Sequence, residues 1–151
     1  MGKGRQEVKH WNRARGMIFL KARQAGVETS KKLFLNSELF QPALENPDVA
    51  TRLAEMVLSY SGWSLFNSPD SEISLEIPAA KQLDKIDVPT LVIVGERDLP
   101  DFHDIADALK RGILKATKVV IPGVGHMANM EAPEKFNKVV LSFLSEIHAC
   151  A

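Results

Sequence analysis

Apolar residues follow two different spacings along the chain, and the change falls near Pro78. Before it they recur only at helical intervals. Val49, Leu53, Met56, Val57 and Tyr60 lie three or four positions apart, the spacing that gathers side chains on one face of an α-helix. Asn46-Pro47-Asp48 supplies a start signal: an amide to cap the first turn, a proline where no N–H is needed, and an acid at the positive end of the dipole. An amphipathic helix is therefore expected over residues 47–60. Val8, Trp11 and Ile18 suggest an earlier helix over 5–24, weakened by Gly16. Lys31 to Gln41 reads as a shorter helix closed by Pro42, and Ser61 to Ser74, with Gly62, Pro69 and several serines, has loop composition.

Beyond Pro78 the pattern alternates strand and helix. Thr90-Leu91-Val92-Ile93-Val94 is a continuous apolar, largely β-branched run ending at Gly95, as a strand buried on both faces reads. Phe102, Ile105, Leu109 and Ile113 then mark one face of a helix opened by Pro100-Asp101 and loosened near Gly112. Lys118-Val119-Val120-Ile121 is a second strand, stopped by Pro122-Gly123. Pro133 opens a last helix whose Phe136, Val140, Phe143 and Ile147 share a face and are expected in the core. Strand, helix, strand and helix in close succession require a parallel pair joined by a crossover. Parallel strands need neighbours and helical cover on both faces. The segment thus reads as the end of a larger α/β sheet, with a helical segment before it.

Composition narrows the function classes. At 151 residues and 45% hydrophobic the chain can bury a core. Its 19 basic residues balance 19 acidic ones, so no net field draws it to nucleic acid or to an anionic membrane. A small-molecule partner fits better. The sole cysteine, Cys150, rules out an internal disulfide and suits a reducing compartment. The basic start Met1-Gly2-Lys3-Gly4-Arg5 is not followed by a secretory apolar run, and no segment has the apolar length of a membrane span. A cytoplasmic protein is the expectation.

Candidate chemistry lies at the carboxyl ends of the two strands, where α/β sheets present functional side chains. Asp98 stands four residues past the first strand and His126 five past the second. Parallel neighbours are roughly 5 Å apart, so the two loops emerge side by side and the side chains can meet. An aspartate on one imidazole nitrogen selects the tautomer, stabilises the imidazolium and leaves the other nitrogen as a base. Each residue alone has a plainer reading: Asp98 as a turn former and His126 as a loop histidine. Gly123 and Gly125, which let backbone approach closely, favour the functional one.

The run Pro89-Thr90-Leu91-Val92-Ile93-Val94-Gly95-Glu96-Arg97-Asp98 resembles the acid strand and loop of α/β-hydrolases. Gly123-Val124-Gly125-His126-Met127-Ala128-Asn129-Met130-Glu131-Ala132-Pro133-Glu134-Lys135-Phe136 resembles that family's histidine loop and last helix. The interval of 28 residues between Asp98 and His126 matches too. The resemblance covers residues 80–148. It implies an α/β fold: a partial parallel sheet, the last two strands of an α/β-hydrolase core over 78–151, preceded by a helical cap-like segment over 1–77. It also implies cofactor-free hydrolysis of an ester, lactone or activated C–C bond by a nucleophile, histidine and aspartate. Asp98 and His126 take the catalytic positions. Trp63, Phe66 and Met127 are candidates to line a substrate site, although packing explains apolar residues of a cap equally well.

The family's nucleophile stands in G-x-S-x-G, ahead of the acid in the chain. No such motif occurs here. Gly62-Trp63-Ser64-Leu65-Phe66 comes nearest, but Phe66 replaces the second glycine and a helix rather than a strand precedes it. Only 34 residues separate Ser64 from Asp98, too few for a further strand, its helix and a cap, so Ser64 reads as a loop residue. Two expectations follow. Either the chain is an enzyme or a piece of one, its nucleophile half supplied by another polypeptide or lost to a truncated reading frame, or it is a non-catalytic remnant that self-associates or binds partners through an uncovered sheet edge. Asp101, His103, Asp104 and Asp107 read as the acidic start of a helix rather than as metal ligands, and Glu131 likewise as a helix-start acid. No metal or cofactor is expected. His10 and His148 read as solvated.

Overall fold

The computed structural model describes residues 24–62 and 78–149. The chain divides into two compact units, Met1–Ser74 and Leu75–Ala151. Of the expected 5–24 helix only Gln24 lies within the described residues, and it is helical. Trp63, Ser64, Phe66 and Cys150 lie outside them, as does His10.

In the first unit, α1 spans Val27–Leu35, α2 Gln41–Leu44 and α3 Pro47–Ser59. The α3 start follows the sequence reading: the Asn46 side chain accepts the Asp48 N–H at 3.1 Å and Pro47 occupies the first turn. The expected Lys31–Gln41 helix is displaced. It begins four residues earlier and ends at Leu35, and Glu38–Phe40 form a separate 3-10 turn. Pro42 opens α2 instead of closing a helix, because a proline in a first turn forfeits only an N–H that has no helical acceptor. The break turns Leu39 and Phe40 inward to join Ala43, Val49 and Leu53 in the buried set. Phe40 meets the Phe34 ring edge-on, with centroids 5.0 Å apart. Lys31 is buried here, and its ammonium donates to Glu28 Oε1 at 2.9 Å and the Leu58 carbonyl at 2.8 Å. Those two acceptors offset the desolvation of the charge.

The second unit holds β1, Thr90–Gly95, and β2, Ala116–Ile121, joined by α4, Pro100–Gly112. Short α5, Ala128–Glu131, precedes α6, Pro133–Ala149. The strands pair in parallel with Thr90 opposite Ala116 and Gly95 opposite Ile121. Alternation along β1 sends Val92 and Val94 against Ala106, Phe102 and Leu109 of α4. It sends Ile93 to the other face, into a cluster of Ile121, Val124, Ala128 and Phe136. A strand covered on both sides is what its unbroken apolar run requires.

Two expectations change. The second strand starts at Ala116, two residues before Lys118, because pairing with Thr90 and Leu91 extends it backwards. It is also less covered, with Val120 43% exposed. The apolar stripe of α6 does share a face, yet no α6 residue is fully buried and Leu141 and Leu144 are exposed. Two strands are too narrow to cover a 17-residue helix, so only Phe136 reaches the buried cluster.

Candidate active site

Register decides where the site forms. Gly95 and Ile121 are partners at the ends of β1 and β2, so the acid loop and the histidine loop leave the sheet at the same level. The loops are then laced together. Glu96 N–H donates to the Ile121 carbonyl at 2.9 Å, Arg97 N–H to the Val124 carbonyl at 2.8 Å, and Gly123 N–H to Glu96 Oε2 at 2.8 Å. A Cβ on Gly95 would stand 2.1 Å from the Gly125 carbonyl oxygen. Only glycine lets the histidine loop sit that close to the end of β1. Gly123 takes a left-handed φ of 80° at the turn between β2 and this loop, a conformation that favours glycine.

These contacts bring Asp98 and His126 together. His126 Nδ1 lies 3.0 Å from Asp98 Oδ2 and 3.2 Å from Oδ1. The Asp98 side chain is 6% exposed and the ring 31%, so the carboxylate is sheltered while part of the imidazole stays accessible. Asp98 Oδ1 also accepts the Leu99 N–H at 2.8 Å, which fixes the carboxylate plane just before α4. In the neutral ring, an Nδ1–H donating to Asp98 leaves Nε2 with its lone pair.

Two further residues act on the histidine. The Phe102 ring lies 4.3 Å from the imidazole centroid at a 43° tilt. On the sequence Phe102 was only one member of an apolar helix face. Glu131 accepts the Gly125 N–H on Oε2 at 2.7 Å and the Met127 N–H on Oε1 at 3.0 Å. Glu131 is a first-turn acid of α5 rather than of α6, and its carboxylate does more than sit at a helix start. Its carboxylate reaches back across α5, a segment too short to generate much dipole, to satisfy the loop itself. The side chain's position five residues after a histidine was the available signal.

An open hollow of about 210 Å³ runs beside β1 and takes in Val94, Asp98, Phe102, His126, Asn129 and Phe136. Asn129 was not anticipated. Met127 is half-buried, its N–H held by Glu131, and it is not among the residues bordering the hollow. The acids of α4 disperse: Asp101 is buried, and Asp107 pairs with Lys118 at 2.5 Å. Among the described residues no group of three metal-ligating side chains converges. His148 is exposed, with Nδ1 2.7 Å from the Leu144 carbonyl. No described helix is long and apolar enough to cross a membrane.

No family model matches the chain, but individual relatives do. MenH from S. aureus superposes with a TM-score of 0.74 over 93% of this chain and 55% of its own, at 25% identity. The chain shares the fold of the α/β-hydrolase family. A thermophilic esterase from Thermogutta terrifontis agrees at a TM-score of 0.65 and 25% identity, over 91% of this chain and 50% of the esterase. Among curated relatives, the monoacylglycerol lipase ABHD6 of Rattus norvegicus is 35% identical over 89 residues, 54% of this chain and 26% of the lipase. The AB hydrolase superfamily protein YisY of Bacillus subtilis is 40% identical over 63 residues, 42% of this chain and 24% of YisY. The chain thus spans about a quarter of these curated relatives and about half of these solved neighbours.

Proposed function

We propose that His126 and Asp98 are the general base and orienting acid of a nucleophile–histidine–aspartate triad that hydrolyses an ester, lactone or activated C–C bond. The contact of His126 Nδ1 with Asp98 at 3.0 Å, beside an accessible ring, carries this reading. In the reaction Nε2 takes the nucleophile's proton on attack and returns it to the leaving group, while Asp98 stabilises the imidazolium in between. The pair needs no cofactor. It does need a nucleophile and oxyanion donors, since a histidine–aspartate pair alone has little to activate but water. The chain contains no G-x-S-x-G, so the nucleophile and oxyanion donors of this triad lie outside these 151 residues, and the substrate is a small molecule. Trp63, Phe66 and Met127 are each proposed, singly, as apolar residues for substrate contact. Lipase and esterase relatives support the bond class.

The test uses p-nitrophenyl butyrate and a fluorophosphonate probe. The chain alone should turn over ester near background and remain unlabelled. Mixed with a polypeptide carrying G-x-S-x-G and the preceding strands, it should restore turnover and probe labelling of that polypeptide. His126→Ala should then lower kcat by roughly 10⁴-fold or more, and Asp98→Asn by less, because the carboxylate orients rather than reacts. Restored turnover indifferent to His126→Ala overturns the proposal. Labelling of Ser64 in the isolated chain, with turnover abolished by Ser64→Ala, overturns the claim that the nucleophile lies outside these residues.

A further inference from the structure

The histidine loop poses a hydrogen-bonding problem that its own backbone does not solve. Gly125 is buried, His126 must hold its ring against Asp98, and Met127 begins the turn into α5. The two N–H groups flanking His126, those of Gly125 and Met127, point to one place, and the carboxylate of Glu131 occupies it. Each oxygen takes one of them, at 2.7 and 3.0 Å. Bonds from backbone N–H to a carboxylate are charge-assisted and stronger than neutral ones. We infer that Glu131 is a positioning residue for His126: its carboxylate pins the Val124–Gly125 and His126–Met127 peptide units and so sets the ring on Asp98.

The inference deepens the triad reading and rests on it. Asp98 is held by the Leu99 N–H at 2.8 Å, and the histidine is held by Glu131, so each member of the pair is fixed by a carboxylate bonded to backbone. Neither anchor touches the ring nitrogen that faces substrate. Without Glu131 the loop retains its lacing to β1 through Arg97 and Glu96, yet the amides on either side of the histidine lose their acceptor. A side-chain amide at the position has one acceptor oxygen for two donors and restores half the clamp. Aspartate is one methylene shorter and cannot span both.

The experiment reads the full 151-residue chain by NMR, without any substrate. Amide exchange of Gly125 and Met127 should accelerate roughly 10- to 100-fold in Glu131→Ala, the factor that corresponds to a lost hydrogen bond to a charged acceptor. In Glu131→Gln one of the two amides should accelerate, while Val94 in β1 stays unchanged in both variants. Imidazole nitrogen shifts should show His126 as the Nδ1–H tautomer in the parent chain and a shift toward Nε2–H in Glu131→Ala, with partial recovery in Glu131→Gln. A scaffold role alone would move the exchange rates and not the tautomer. If the parent chain lacks the Nδ1–H tautomer, the pair reading falls and this inference with it. If the parent has it and Glu131→Ala keeps it, only the role of Glu131 is overturned. Should Glu131→Ala unfold, Glu131→Gln decides alone: an unchanged tautomer with both amides protected overturns the inference.

Discussion

Replacing Gly95 by alanine strikes the point where strand end and histidine loop touch. An added Cβ would lie 2.1 Å from the Gly125 oxygen and 2.5 Å from the Val124 oxygen, whereas ordinary contact begins near 3.4 Å, so one backbone must retreat by about 1.3 Å. Neither obstacle is a side chain that can rotate away. Overpacking of this kind costs about 1–3 kcal/mol. The movement also stretches the Arg97–Val124 and Glu96–Ile121 backbone bonds, each worth about 1 kcal/mol. A loss of roughly 2–5 kcal/mol is a large share of the ~5–15 kcal/mol that holds a domain folded. Urea unfolding followed by circular dichroism should show the midpoint falling by roughly 1–2 M, given slopes of about 1–3 kcal/mol/M. The His126 imidazole resonances should move with it, because the loop that retreats carries the ring away from Asp98. A midpoint within about 0.3 M of the parent, with unmoved His126 resonances, would refute the claim that this contact seats the histidine.

The remaining predictions concern the sheet and its crossover. Ile121, 2% exposed beneath the histidine loop, should lose about 2–4 kcal/mol of stability on truncation to alanine, measured by urea unfolding; Val120→Ala, at a 43% exposed position, should cost under about 1 kcal/mol. The hydrogen bond from Lys118 holds the Asp107 carboxyl below its usual 3.8. A lowered folded-state pKa stabilises above the unfolded value and loses that contribution as pH falls through the folded one. The stability gap between parent and Asp107→Asn should therefore be constant above about pH 5 and close below about pH 4, and a gap that widens on acidification would contradict the pairing.

The elements of the second unit were legible because their signals are local. Pro100 and Pro133 open helices where the chain cannot use another N–H, and the run from Thr90 to Val94 admits little but a buried strand. The proximity of Asp98 and His126 followed from one topological rule, that parallel neighbours deliver their loops at the same end. Asn46-Pro47-Asp48 likewise specified the start of α3 within a single turn. Pro42 misled: the sequence reads it as closing a helix, whereas it opens α2, with Leu39 and Phe40 buried in the turn before it. Tertiary structure alone decided the rest. Strand register placed Gly95 opposite Ile121, and that pairing set the two loops level. Whether the α6 stripe is buried depends on how much sheet lies beneath it, a quantity no residue of α6 encodes. Glu131 and Phe102 gained their roles from groups that converge only after folding, the loop amides for one and the imidazole face for the other. Spacing along a chain encodes which residues share an element and a face; distances between loops depend on how the elements pack.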